Sequence, residues 1–385
     1  MRRSGFAPRV SYERCLSLRL FIDLDPVTVV DKRLPPISVA ICYNRGMKPV
    51  TIKDIAKAAN VNQSTVSKAL RGLEGLVSSD TAKRIADIAA EMGYRPNAVA
   101  ASLRTNRSNL IGIIVPDLSN PLFGPIAQGL ESKLREAGWM SVMVQTPAEH
   151  DARRRVVHEL AGLRVAGLVI TSAETDDPML EAAHEVGLPV VLVNRGLDER
   201  RFSSVVNDDR ESVSLVIEHL FELGHRRVAH LAGPGTSSTG RARKEAFLDL
   251  VGRKPDMQAF VADASAFTRQ EGYRATQQLL AQRKGKRWTA IFAGNDLMAV
   301  GAIDALHQAG LRVPEDVSVV GHNDMPLVDM ISPPLTTVRI AIERMSHHAA
   351  VLLEDHLKNP KLAPMQRVLS PVLIVRSSTG RPPGK

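Results

Sequence analysis

The chain has 385 residues, 44% of them hydrophobic, with 50 Lys and Arg against 41 Asp and Glu. This length supports more than one buried core, and no apolar run approaches the ~18 residues of a membrane span, so a cytoplasmic location is expected. The positive excess is confined: residues 1–46 carry 8 basic and 4 acidic side chains, residues 47–108 carry 10 and 5, and residues 109–385 carry 32 of each. A phosphate backbone would be met by such a segment, with affinity falling as salt rises.

Residues 1–46 hold scattered Arg, a Pro35–Pro36 pair and no sustained helical or strand period. We expect a disordered or wrongly annotated extension with Met47 as the natural start; the alternative is a basic arm that assists DNA binding. Its LFIDL stretch, with acids around it, is no signal-peptide core. Both cysteines, Cys15 and Cys42, lie here, so the rest of the chain has no disulfide, thiol nucleophile or Cys-based zinc site.

The segment VTIKDIAKAANVNQSTVSKALR, Val50 to Arg71, reads as two short helices and a tight turn. Ile52, Ile55, Ala56 and Ala59 fall on one helical face. Asn60 stands at the bend, and Asn tolerates the left-handed conformation. The second helix, from about Gln63, turns Val66 and Leu70 inward and leaves Gln63, Ser64, Ser67 and Lys68 outside. Small polar and basic residues on a short helix suit the DNA major groove. A third helix runs from about Ser79 to Met92, with Ser78 or Ser79 as its cap and Gly93 ending it. The head is thus expected over residues 47–95. Pro96 then marks a boundary, and Asn97 can cap a short hinge helix, Ala98 to Leu103, within a linker over 96–108 that orders on binding.

Beyond it, short apolar runs recur at 110–115, 142–145, 167–171, 189–194, 227–233, 289–294 and 317–321, with helical stretches such as Pro125–Ala137 and Asp209–Leu223 between them. Alternation of this kind means parallel sheets with helices on both faces, and the length points to two lobes. The fold class is therefore α+α/β: a three-helix helix-turn-helix head and hinge helix, then a two-lobed, doubly wound parallel-sheet core over 109–379. One lobe is placed at 109–207 with 313–343, the other at 208–312 with 344–379, and 380–385 as a flexible tail.

Ligands of such sheets bind beyond the carboxyl ends of the strands. The residues there are polar: Asp117, Asn120 and Phe123; Asn194 and Arg195; Asn207 and Asp208; Thr239 and Arg243; Asn295 and Asp296; and His322, Asn323 and Asp324. Carboxylates, amides and guanidinium groups with a Phe face suit a hydroxylated small molecule, although Asp and Asn after strands also simply cap the next helix.

TIKDIAKAANVNQSTVSKAL, GYRPNAVAASLRT and IGIIVPDLSNPLF resemble the LacI/GalR family of bacterial transcription regulators, over about Val50 to Ser378. The resemblance implies a core similar to periplasmic sugar-binding proteins. It also implies base contacts from Gln63, Ser64 and Lys68, phosphate contacts from Thr65 and Ser67, and a minor-groove wedge from Leu103. Thr51, Asn97 and Arg104 complete the DNA-binding set. Ala101 departs from the Arg common in the family, and Arg104 or Arg107 is the substitute. Phe123, Arg243, Phe267 and Asp296 align with effector-contacting positions; Asp117, Asn194, Arg195, Asn207, Thr239 and Asn295 complete the effector set.

The implied protein is a homodimeric repressor of a palindromic operator, controlled by a sugar or sugar acid. It has no leucine heptad for further assembly, no cofactor, no metal and no membrane partner. An enzyme is disfavoured: no G-x-S-x-G elbow, P-loop, G-x-G-x-x-G turn or H-E-x-x-H helix occurs, and His225, His230 and His322 are widely spaced. The adjacent His347 and His348 point apart on a helix. A solute receptor would share the core but have no use for a basic head.

Overall fold

The computed structural model describes residues 50–70, 76–94, 108–199, 201–282 and 288–383. The chain divides into two compact units, one ending at Arg95 and the other beginning at Pro96. The expectations for residues 1–46, and for the hinge with Asn97, Ala101, Leu103, Arg104 and Arg107, lie outside the described residues.

The head consists of α1 (Ile52–Ala58), α2 (Gln63–Ala69) and α3 (Ser79–Glu91). Asn60 adopts φ 51° at the bend, and Gly93 adopts φ 67° after the third helix. Ile55, Ala56, Ala59, Val66, Ile85 and Ala89 form its core. So small a core gives limited stability, and Arg84 adds a hydrogen bond to the Ala59 carbonyl at 3.2 Å. Ser78 takes the N-cap position of α3 but donates its hydroxyl to Thr81 Oγ1 at 2.9 Å rather than capping the backbone.

The core unit holds two six-stranded sheets. The first contains β1 (Leu110–Val115), β2 (Met140–Gln145), β3 (Gly167–Ile170), β4 (Val190–Asn194), β5 (Ser203–Asn207) and a late strand, Gln366–Leu369, in the order late–β5–β4–β3–β1–β2. Its helices are α4 (Phe123–Glu136), α5 (His150–Gly162), α6 (Pro178–Glu185) and the later Ile342–Lys358. Along β1, Ile111, Ile113 and Val115 face α4 and Ile342–Lys358, while Ile114 faces α5 and α6. Both faces are apolar because helices cover both.

The second lobe begins with α7 (Asp209–Glu222), then β6 (Arg227–Ala232), α8 (Ser238–Gly252), β7 (Gln258–Asp263), α9 (Arg269–Ala281), β8 (Ala290–Ala293), α10 (Asp296–Gln308), β9 (Ser318–Asn323) and β10 (Thr336–Arg339). The chain returns to the first lobe for α11 (Ile342–Lys358) and β11 (Gln366–Leu369), and crosses again to add β12 (Val372–Ile374) at the edge of the second sheet. All pairings are parallel except β10 with β12. In α9 and α10, Gly272 and Gly301 let the backbones meet, since a Cβ on Gly301 would lie 2.0 Å from the Arg269 carbonyl oxygen.

Two expected boundaries are corrected. Residues 318–323 and 336–339 belong to the second sheet, and 342–358 with 366–369 to the first lobe, the reverse of the assignment made for 313–343 and for most of 344–379, of which only 372–374 pair in the second sheet. The apolar pattern of a buried strand is the same in either sheet, so lobe membership is decided by pairing register, which local pattern does not carry. The expected tail also starts too early. The Gly380 N–H donates to Ser318 Oγ at 3.0 Å, and its carbonyl accepts from His225 Nε2 at 2.9 Å.

Candidate functional site

In the head, Gln63, Ser64 and Lys68 are exposed on α2, and Thr65 is half-buried. Ser67 is 7% exposed, which corrects its expected outward position. The stripe of α2 that packs inward is wider than Val66 and Leu70, and takes in this small side chain. Thr51 is exposed, but its side chain caps α1: Oγ1 donates to Asp54 Oδ2 at 2.6 Å and accepts from the Asp54 N–H at 3.4 Å. These bonds from Thr51 hold the Asp54 carboxyl below its ordinary range.

In the core unit, the ends of β1, β4, β6, β8 and β9 bring one cavity together between the lobes. Its enclosed space is small, about 30 Å³, below the ~300–1,000 Å³ typical of small-molecule sites. Phe123, Asn194, Arg195, Thr239, Arg243, Phe267 and Asn295, all singled out from the sequence, line it. Asn120 and Asn323, seen in the sequence as strand-end residues but left out of the set, line it too, as does Leu122. Leu122 carries no polar signal; only its place before the helix starting at Phe123 could have revealed it.

Arg243 is 3% exposed. Its Nε donates to Asp209 Oδ1 at 2.7 Å and its Nη1 to the Gly294 carbonyl at 2.6 Å. Burial pushes the Asp209 carboxyl up, while Arg243 pulls it down. His322 approaches the same oxygen at 4.0 Å, but burial, followed by the Arg243 charge, keeps its imidazole neutral by lowering its pKa well below the usual value. That contact is therefore not an ion pair.

Arg195 is held differently. Its Nη1 donates to the Ser172 carbonyl at 3.4 Å, and the Glu174 carboxylate stays 3.9 Å away, closer to Arg153 at 3.1 Å. The guanidinium lies 5.7 Å from the centroid of Phe267, within cation–π reach. Burial lowers its pKa, with Glu174 opposing. The Phe267 ring in turn sits against Gly233, where any Cβ would come within 2.2 Å of the ring. Asn295 Oδ1 caps α10 through the Met298 N–H, and its Nδ2 donates to the Phe267 carbonyl.

Three expected effector residues do not line the cavity. Asp117 accepts from the Ser119 N–H and hydroxyl, fixing its own turn. Asn207 is buried at the end of β5 with both side-chain polar atoms unpartnered. Asp296 is fully buried, its carboxylate accepting from the Met325 N–H at 2.8 Å and the Thr337 hydroxyl at 2.5 Å. Burial raises it to about 7. The neighbouring Asp208 simply caps α7 through the Glu211 N–H. Asp209 as the partner of Arg243 was missed, although the Asn207-Asp208-Asp209 run was its signal.

A helix-turn-helix head followed by a two-lobed α/β core with a polar inter-lobe cavity defines a ligand-responsive DNA-binding protein. Comparison with known proteins makes this specific. Residues 51–97 match the family described as "Bacterial regulatory proteins, lacI family", and residues 217–379 match a periplasmic binding protein-like domain. The HTH-type transcriptional repressor PurR of Aliivibrio fischeri (strain ATCC 700601 / ES114) is 31% identical over 331 residues, covering 85% of this chain and 98% of its own length. The ribose operon repressor of Escherichia coli K12 is 31% identical over 333 residues, covering 85% and 99%. A structure of the Lac repressor dimer bound to operator and the anti-inducer ONPF is 28% identical with a TM-score of 0.76, covering 86% of this chain and 100% of that one. The chain belongs to the LacI family: it is a DNA-binding transcriptional regulator with a small-molecule-binding core of periplasmic-binding-protein type.

Proposed function

We propose that the protein is a cytoplasmic repressor acting as a homodimer on a roughly palindromic operator, its affinity set by a sugar or sugar acid bound between the lobes. Gln63, Ser64 and Lys68 are the groups we assign to base edges. Thr65 and the capping Thr51 are assigned to the sugar–phosphate backbone, and Asn97, Leu103 and Arg104 to the hinge's contacts. The observation that carries the effector reading is the cavity walled from both lobes, in which Asn194 Oδ1 is buried without a partner. Unmet polar groups in a concave site are what a hydroxylated ligand satisfies. Names among the relatives point the same way: a ribose operon repressor and a CelR–cellobiose complex. No helix among the described residues is long and apolar enough to cross a membrane, and the relatives' names support regulation rather than catalysis.

A ligand that closes or opens the lobes changes how the core presents its linker, with a coupling of typically ~1–3 kcal/mol. The test is selection of bound duplexes from a random pool by the full-length protein. We expect a short palindrome with a deformable central step, as two-fold symmetry and hinge insertion require. Enrichment of a non-repeated site would remove the dimer reading, and a pool without enrichment would remove the specific-repressor reading. Lys68→Ala and Gln63→Ala separate the contacts: loss of Gln63 should relax one base position, by ~1–3 kcal/mol.

A further inference from the structure

We propose that the ligand of the inter-lobe cavity is an anionic sugar, a sugar acid or a sugar phosphate, whose negative group docks on Arg195. The inference rests on the effector reading above and adds the ligand's charge.

Every charged side chain lining the cavity is a cation, Arg195 from one lobe and Arg243 from the other. The carboxylates nearby are turned to other duties: Asp209 to Arg243, Asp296 to Met325 and Thr337, Asp117 to Ser119. Arg243 is neutralised by Asp209 at 2.7 Å. Arg195 is not matched in this way. It is 9% exposed, its bond to the Ser172 carbonyl is long at 3.4 Å, and the Glu174 carboxylate is drawn toward Arg153. A buried guanidinium with so few short acceptors is costly until an anion completes it.

The surroundings favour the same sign. The helices beginning at Phe123 and Ser238 have no side-chain cap, and both present their first turns to the cavity through Phe123 and Thr239. The positive ends of helix dipoles favour negative charge.

The rest of the lining suits a polyol. Asn194 Oδ1 is buried and unpartnered, an acceptor waiting for a hydroxyl donor. Phe123 and Phe267 supply ring faces for the apolar side of a pyranose. An acidic purely aliphatic ligand would leave Asn194 unmet, and a neutral sugar would give Arg195 hydroxyl acceptors but no opposite charge.

The test uses full-length protein and two series that differ only at C6: D-glucose, D-glucuronate and D-glucose 6-phosphate, and the matching galactose compounds. Binding is measured by titration calorimetry at neutral pH in chloride buffer. We expect an anionic member to bind at least about tenfold more tightly than its neutral parent, the scale of a charge-assisted hydrogen bond. Whether the acid or the phosphate wins identifies the source of the anion. Arg195→Gln should bring that ratio near one, and Arg195→Lys should retain part of it. The inference is overturned by neutral parents that bind as well, by a ratio unmoved in Arg195→Gln, or by no anionic member binding at about 10 mM.

Repeating the titrations with a selected DNA duplex separates the two readings. An anion that binds without altering DNA affinity leaves the ligand assignment standing and removes the effector role. A neutral sugar that shifts DNA affinity does the opposite.

Discussion

The two walls of the cavity are built from the same kind of strand end, yet they are finished to different degrees. On the second-lobe wall Arg243 has two short hydrogen bonds, Asn295 uses both ends of its amide, and Asn323 Oδ1 meets His322 Nδ1. Among the described residues, the buried unpaired side-chain atoms of that lobe are His230 Nε2 and His322 Nε2, neither of them on residues that line the cavity. On the first-lobe wall Asn194 Oδ1 is unpaired and Arg195 is loosely held. One wall is therefore set before a ligand arrives, and the other has polar capacity left for the ligand to use. A site divided in this way favours a bound state in which both lobes touch one molecule, the condition for coupling ligand to lobe angle.

The contrast predicts unequal costs. Arg243→Ala should give the largest effect, because Asp209 is left buried without its partner; stability should fall by about 3–5 kcal/mol in urea unfolding. Arg195→Ala in the same assay should cost under about 1 kcal/mol, because Glu174 keeps Arg153 at 3.1 Å and no buried charge loses its partner. Equal losses would erase the distinction between the walls.

An effect between those two belongs to Asp296→Ala, which removes the acceptor for the Met325 N–H and the Thr337 hydroxyl. We expect a loss of about 1–3 kcal/mol, and faster amide exchange at Met325. A lost effector response with unchanged exchange would return Asp296 to direct ligand contact.

The smallest effect is one of pH. His225 and His230 are each held at about 4 by burial, against an ordinary 6.5. Their folded values lie below their unfolded ones, so their contribution is present above 6.5 and lost as pH falls toward 4. Asp296, raised to about 7 from 3.8, has the opposite sign: its contribution is present below 3.8 and lost as pH rises through 7. Melting temperature should therefore drop on the acid side, and His225→Gln should flatten part of that drop. A wild-type profile level from pH 6.5 to 4 would contradict the assignment.

Much of this was legible in the residues. The 3.6-residue period of Ile52, Ile55, Ala56 and Ala59, the left-handed Asn60 and the Gly93 stop all describe local geometry, which local sequence determines. The alternating apolar runs likewise announced parallel sheets, and polar residues after them marked seven members of the cavity. What local sequence could not carry was partnership. Asp296 looks identical in the chain whether it faces a ligand or the Met325 N–H. Ser67 looks exposed until the width of its packing face is known. The return of 342–369 to the first lobe is a matter of strand register alone.

That return has a consequence for how the chain is made. The first sheet lacks an edge strand until residues 366–369 exist, and the second until 372–374. The strand-end residue Ser318 also waits for Gly380. Neither lobe can therefore be completed during synthesis until nearly the whole core has left the ribosome. The lobes mature together, and no single cut between them would yield two intact halves.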